Sequence, residues 1–311
     1  RNGGLGLLRS LGDHETLLRS CYGRTRRAAQ MDLAGMMLTR GREVPVERAR
    51  EVYYRVMGRP FNAVPPPVVR TGRGTPIDFD DWTWDPEQGG EQVGGRIRGL
   101  SVVGSRLDAV VEADAALAYC EWVIEFRNDA REAHEVRAQV LLPPGGVVSR
   151  LTLWINGEER EAAFSGRAQT RQAYQSVAIQ QRRDPVLVTT AGPDRVLMQC
   201  FPVPAGGGTM KVRLGITAPL ELASLREGRF QWPCFIERNF SVPDGFRHSL
   251  WLDTADAVAV KAPALSADAA GNGGRRTVRG ELADAAQVGG GGLVHLERAP
   301  EVRERWTAAA R

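Results

Sequence analysis

The chain has 311 residues, of which 42% are apolar and 25% charged, with a net charge of +4. Such proportions exclude collagen-like repetition and a wholly disordered chain, and the length allows about two domains. No stretch reaches the ~18 consecutive apolar residues that a membrane-spanning helix requires, and the net charge is too small by itself to mark a nucleic-acid binder.

Basic residues are almost all arginine, with lysine only at Lys211 and Lys261. The four cysteines (Cys21, Cys120, Cys200, Cys234) are scattered, without a Cys-x-x-Cys pair, which disfavours a zinc site, a thioredoxin-type motif and a disulfide scaffold. The chain begins at Arg1 with no signal-like segment. The expectation is a piece of a larger bacterial protein, with a membrane anchor upstream of Arg1.

The first sixty residues carry twelve arginines against six acidic residues, a local charge of +6. Their apolar spacing is helical. Val46, Ala49, Val52, Tyr53 and Val56 recur at three- and four-residue intervals, between Pro45, tolerated at a first turn, and Gly58, suited to a left-handed cap. A short helix from His14 to Cys21 and another with Ala29, Leu33, Met36 and Met37 on one face complete a small basic helical unit, residues 1–58. The bland reading of Arg19, Arg24, Arg26 and Arg27 is a solvated helix face; the alternatives are an arm that binds anionic membrane or nucleic acid.

Residues 59–95 read as a Pro/Gly-rich linker, with Pro65-Pro66-Pro67 and an acidic-aromatic patch, Asp78 to Asp85, that includes Trp82 and Trp84. Part of it is expected to lie against a domain. From Arg96 the apolar period becomes two. Cys120, Trp122, Ile124 and Phe126 alternate with Glu121, Val123, Glu125 and Arg127; Val136, Ala138 and Val140 alternate with Glu135, Arg137 and Gln139. Leu151, Leu153 and Ile155 alternate with Arg150, Thr152 and Trp154, and Asn156-Gly157 then signals a hairpin. Met210, Val212, Leu214 and Ile216 repeat the pattern. One buried face and one wet face imply antiparallel sheets packed as a sandwich.

A helix is expected over Gly166 to Ala178, with Ala173, Tyr174, Val177 and Ala178 on one side, laid over an edge or open end of the sandwich. The assignment is therefore mainly β, α+β overall: a β-sandwich over residues 96–225, and a β-rich extension, residues 226–311, packed on it or following it.

The order of features from Ile97 to Leu222 resembles the VIT domain, the vault protein inter-alpha-trypsin family. The residues that carry the resemblance are the step Trp122 to Asn128, the strand closed by Leu141-Leu142-Pro143 and the strand Leu151 to Gly157. After these come Arg171 with Ala173-Tyr174, and then the turn Phe201-Pro202-Val203-Pro204-Ala205-Gly206 leading into Met210 to Leu220. Two positions depart from the family pattern: Thr217 stands where a Tyr often ends the last strand, and Val196 and Leu197 replace an aromatic. Many members continue into a von Willebrand factor type A domain; its Asp-x-Ser-x-Ser site is missing here, the nearest string being Asp253-Thr254-Ala255-Asp256. The resemblance implies a VIT-type sandwich with one inserted helix and no catalytic signature.

Catalytic patterns are weak. Gly104-Ser105-Arg106 and Phe164-Ser165-Gly166 do not form a Gly-x-Ser-x-Gly elbow, and Gly4-Leu5-Gly6 lacks the strand and third glycine of a dinucleotide loop. His14, His134, His248 and His295 stand far apart; His134 reads as a solvent-facing strand end. Asp78, Asp80, Asp81 and Asp85 lack the glycine and distal Glu of an EF-hand loop, and Asn239-Phe240-Ser241 is read as a chance sequon. The expectation is a non-enzymatic scaffold or protein-interaction module without cofactor or metal, binding a protein partner or neighbouring domains of its own polypeptide and not nucleic acid. Its candidate interaction surface is Trp154, Arg150, Trp82 and Trp84; its structural core is Cys120, Trp122, Ile124, Phe126 and Tyr174. Trp154 points outward, open to solvent or covered by the Gly166 helix or the C-terminal segment. The alternative is a hydrolase or ion-binding domain assembled from scattered residues such as Asp80, His134 and His248.

Overall fold

The computed structural model describes residues 9, 12–22, 45–67, 87–155, 157–163, 186–255, 257–260, 265–267, 275–288, 290 and 292–298. The expected helices around Met36 and over Gly166 to Ala178 lie outside these residues.

Helix α1 spans His14–Tyr22 and α2 spans Val46–Met57. Pro45 precedes α2, and Gly58 (φ +70°) closes it, its N–H donating to the Tyr54 carbonyl at 2.8 Å. The stripe predicted for α2 is the buried one, through Ala49, Tyr53 and Val56. It packs on α1 and on the single 3-10 turn Phe61–Ala63, with Tyr22 edge-on to Phe61 at 5.3 Å.

The strands are β1 (Leu100–Glu112), β2 (Leu117–Asn128), β3 (His134–Leu141), β4 (Val147–Ile155), β5 (Glu158–Glu161), β6 (Val186–Gly192), β7 (Arg195–Val203) and β8 (Gly208–Pro219). They continue with β9 (Glu221–Ser224), β10 (Glu227–Phe230), β11 (Cys234–Arg238), β12 (Arg247–Thr254), β13 (Ala257–Val260) and β14 (Leu265–Ala267). Then come β15 (Arg276–Ala283), a short helix α3 (Asp284–Val288), and β16 (Val294–Glu297). Among the described residues they form an eight-stranded sheet, order β14-β15-β12-β1-β2-β8-β4-β5, and two four-stranded sheets, β11-β3-β7-β6 and β13-β16-β10-β9. The protein is thus mainly β, with a small helical unit at its N-terminal side.

The large sheet and the β11-β3-β7-β6 sheet face each other across one core. Cys120, Trp122, Ile124 and Phe126 are all buried in it, with Trp122 against Phe235 at 4.4 Å and Phe126 against Phe240 at 5.0 Å. Burial alternates along β2 as its sequence alternates.

Two features differ from the sequence expectations. First, β1 and β12 pair in parallel, Arg106 opposite Ser249 through Val111 opposite Thr254. Residues 226–311 therefore contribute three strands of the large sheet, β12, β14 and β15, instead of following the sandwich. Second, His134, Glu135 and Arg137 are buried, although alternation read the latter two as wet and His134 as solvent-facing. For Glu135 and Arg137 the cause is residues 87–97, expected to belong largely to a linker, which lie as a strap across the outer side of the β11-β3-β7-β6 sheet. The Gly89 N–H donates to Glu135 Oε2 (2.7 Å), Arg137 Nε donates to the Val93 carbonyl (2.9 Å), and the Ile97 N–H donates to the Asn239 carbonyl (2.7 Å). In keeping with a chance sequon, Asn239 is wholly buried, its amide bonded to the Glu135 carbonyl and the Arg137 N–H, so its side chain is inaccessible for glycosylation in the fold. The third sheet packs Phe230, Val294 and Leu296 into the same core, joined by Trp232 just after β10, as an extension packed on the sandwich would.

Candidate functional site

The outward face of the large sheet brings together Trp154 and Arg150. The two-residue turn between β4 and β5, with Gly157 at φ +82°, places Trp154 opposite Glu159 and Thr152 opposite Glu161. On the other side of β4, Thr152 faces Arg213 and Arg150 faces Gly215 of β8; across β8, Gly215 faces Glu121 of β2. Since side chains alternate across a sheet, these residues share one surface.

An ionic lattice covers that surface. Arg150 donates to Glu161 Oε1 at 2.6 and 2.9 Å and to Glu121 Oε1 at 3.1 Å. Arg213, only 12% exposed, pairs with Glu159 at 2.8 Å and reaches Thr152 Oγ1 at 3.3 Å. Tyr119 Oη donates to Glu121 Oε1 at 2.9 Å. Trp154 is half-buried because Lys211 Nζ lies 4.4 Å and the Arg213 guanidinium carbon 5.2 Å from its ring centroid. Its cover among the described residues is therefore cationic side chains of β8. Gly215 permits the arrangement, since a β-carbon there would sit 2.5 Å from Tyr119 Oη and 2.6 Å from the Arg150 β-carbon.

The electrostatics agree with the geometry. The hydrogen bond from Arg150 holds the Glu161 carboxyl below the ordinary carboxylate range, and that pair raises Arg150 in turn. Burial, followed by Glu121, pushes the Tyr119 phenol up.

A second aromatic stands on the same sheet face. Trp251 is 40% exposed, lies opposite Asp108 of β1 and Arg279 of β15, and has the Arg279 guanidinium carbon 5.1 Å from its centroid. The sequence held a signal for it: His248, Leu250 and Leu252 alternate inward, which sends Trp251 out.

The structure also aligns a serine, a histidine and an aspartate. Trp122 Nε1 donates to Ser105 Oγ at 2.8 Å, Ser105 Oγ lies 2.7 Å from His248 Nδ1, and His248 Nε2 lies 3.4 Å from Asp284 Oδ1. Arg238 closes the chain on Asp284 at 2.8 Å. With the indole as donor, the serine hydroxyl is left to donate to Nδ1, and Nε2–H faces Asp284. Burial acts to raise the Asp284 pKa, but the His248 hydrogen bond and Arg238 outweigh it and hold the carboxyl below the ordinary range. Ser105 and His248 point into the core between the sheets, with Trp122 and Phe246 packed around the imidazole. A nucleophile must meet substrate; this serine meets an indole.

Of the scattered residues weighed for hydrolysis or ion binding, His134 and His248 stand in opposite sheets, and Asp80 lies outside the described residues, as do Trp82, Trp84 and Tyr174. Among the described residues no group of three or more His, Cys, Asp or Glu side chains could hold a metal ion. The four thiols are free and buried; burial raises Cys21 and Cys234 to about 11 and Cys120 and Cys200 further.

Residues 106–216 match the family model of the Vault protein inter-alpha-trypsin domain. The chain contains a VIT domain. The match runs from Arg106 in β1 to Ile216 in β8 and so includes the Trp154 surface, while β12 and β15, strands of the same sheet, lie beyond it. No curated relative matches the chain. Among solved structures, it is similar to the M1 zinc metallopeptidase from Deinococcus radiodurans (14% identity, TM-score 0.36) and to a point mutant of that enzyme (15%, 0.37). Each alignment covers 65% of this chain and 43% of that one. The VIT-containing chain thus spans under half the length of those structures, and likeness at this level carries no conclusion about its activity. No helix among the described residues is long and apolar enough to cross a membrane.

Proposed function

We propose that this VIT-containing chain is a non-catalytic scaffold and protein-interaction module of a larger polypeptide, and that its partner contacts the Trp154 surface. The observation that carries the reading is the pre-ordered lattice around a half-exposed tryptophan. Trp, Tyr and Arg are the residues that most often dominate interface energy, and here Arg150 and Arg213 are held by ion pairs, Tyr119 by its hydrogen bond to Glu121 and Trp154 by the cations over its ring before any partner arrives. Preorganisation of this kind lowers the side-chain ordering cost of association. A partner protein or a neighbouring domain of the same polypeptide suits such a surface equally, and membrane anchoring through segments outside these residues belongs to the same proposal.

The test is site-specific photo-crosslinking in the organism of origin, with the photoreactive residue at position 154 and, as a control, at Arg226 on the far β9–β10 turn. A defined adduct from position 154 that is absent from position 226 and lost on Arg213→Ala supports the reading. Equal labelling from both positions overturns it, and so does a purified chain whose hydrolytic turnover disappears with Ser105→Ala.

A further inference from the structure

We propose that the outer face of the β11-β3-β7-β6 sheet is a receptor for a glycine-rich, turn-containing polypeptide segment held by its main chain. In this molecule residues 87–97 occupy it, and an equivalent segment offered in trans can take their place. The proposal concerns the sheet opposite the Trp154 surface and stands independently of the function proposed above.

The sheet grips the strap by its main chain. Glu135 accepts from the Gly89 N–H (2.7 Å), Gln199 Nε2 donates to the Gly90 carbonyl (3.0 Å), and Arg137 Nε donates to the Val93 carbonyl (2.9 Å). The Asn239 carbonyl accepts from the Ile97 N–H (2.7 Å). The recognising groups come from the neighbouring strands β3 and β7 and from the turn after β11, and Glu135, Arg137, Gln199 and Asn239 are each 0–1% exposed. A sheet that exposed this set bare would leave an ion pair and several amide groups to be resolvated. Buried polar groups are expensive unless paired, so the face is complementary to the main chain of a segment folded as residues 87–97 are, with a turn at Glu87–Gly90.

The strap sequence follows from close approach. A β-carbon at Gly94 would overlap the Glu87 carboxylate and come within 3.1 Å of Arg137 Nη2; one at Gly95 would overlap the Tyr22 ring. Glycine pairs at 89–90 and 94–95 therefore allow the segment to lie flat between the sheet and the helices. On its other side it is held by polar bonds: Arg50 pairs with Glu87 and donates to Gln92 Oε1 (2.9 Å), Asn62 Nδ2 donates to the Gly94 carbonyl (3.1 Å), and the Arg96 N–H donates to Tyr22 Oη (3.2 Å). Few apolar side chains anchor it, chiefly Val93 and Ile97. A segment held mainly by hydrogen bonds opens below the free energy of global unfolding, and that opening is what exchange requires.

The experiment uses the full chain and a fluorescent peptide with the sequence of residues 87–97. Gly95→Val, which drives the strap off Tyr22, is expected to bind the peptide saturably and at least 10-fold more tightly than the wild type, which must first release its own strap. A peptide with valine at positions 94 and 95 is expected to lose that binding, and one with alanine at the exposed position 88 to keep it. Absence of saturable binding to folded Gly95→Val protein overturns the proposal, and so does equal binding of the valine-substituted peptide. If Gly95→Val does not fold, amide exchange in the wild type decides. Gly89 and Ile97 amides exchanging at least 10-fold faster than that of Trp122 support an exchangeable strap; exchange at the rate of Trp122 refutes it.

Discussion

Arg137 and Glu135 provide the sharpest test of the strap as a structural layer. Both side chains are at most 1% exposed and meet at 2.7 Å. Arg137→Met removes the guanidinium and leaves the Glu135 carboxylate bonded to the neutral donors Gly89 N–H and Gln199 Nε2, at 2.7 and 3.3 Å, while the Val93 carbonyl loses the Arg137 donor. Breaking a buried pair from one side costs ~3–5 kcal/mol, because the remaining charge is stranded. The double variant Glu135→Gln/Arg137→Met strands no charge and is left mainly with an unpaired carbonyl, a cost of ~1–3 kcal/mol. The double variant is therefore expected to be no less stable than Arg137→Met alone, with a coupling energy of about 3 kcal/mol in a double-mutant cycle by urea denaturation. The coupling should persist in high salt, since a pair this deep is poorly screened. A cost for Arg137→Met below about 1 kcal/mol, the range of solvated pairs, would mean that water reaches the pair and that the strap does not seal it.

Trp122→Asp is expected to unfold the β region, because it places an unpaired charge at a 0%-exposed site between the sheets; a wild-type melting curve would refute the packing. Trp154→Ala, on the wet face, should change stability by no more than about 1 kcal/mol, the scale of a cation–π pair at an exposed site, and a far larger loss in denaturant titration would mark Trp154 as core. Asp284 carries a depressed folded-state pKa, so its contribution to stability is present above its ordinary pKa of 3.8 and is lost as pH falls through the folded value. Asp284→Asn should therefore be less stable than wild type at neutral pH and converge with it in acid; a difference that persists unchanged through acid would contradict the assignment. Native protein should resist thiol-directed alkylation at Cys120 and Cys200 near neutral pH and react at both after denaturation, as mass spectrometry would show.

The strands of the VIT core were legible because each solves a two-faced problem in its own sequence: Cys120, Trp122, Ile124 and Phe126 can face only one way. The hairpin signalled by Asn156-Gly157 in the sequence is present as the antiparallel pairing of β4 with β5, which sets Trp154 opposite Glu159. Neither the parallel pairing of β1 with β12 nor the alignment of Ser105, His248 and Asp284 could be read. Both depend on contacts between segments more than 140 residues apart, which local periodicity does not encode.

The misreading of Glu135 and Arg137 has a more specific cause. Alternation reports that a strand has two chemically different faces; it does not report which of them meets water. A polar face can be buried when the covering layer brings backbone donors and acceptors, and residues 87–97, with four glycines, bring little else. Glycine-rich sequence usually signals a linker because it lacks side chains to bury. Here the same lack lets the chain approach within hydrogen-bonding distance of the sheet's charged side chains. The composition that suggested a linker is therefore what allows this part of it to attach, and a valine at Gly94 or Gly95 tests the attachment: a free linker would accept it without loss of stability, whereas the strap cannot.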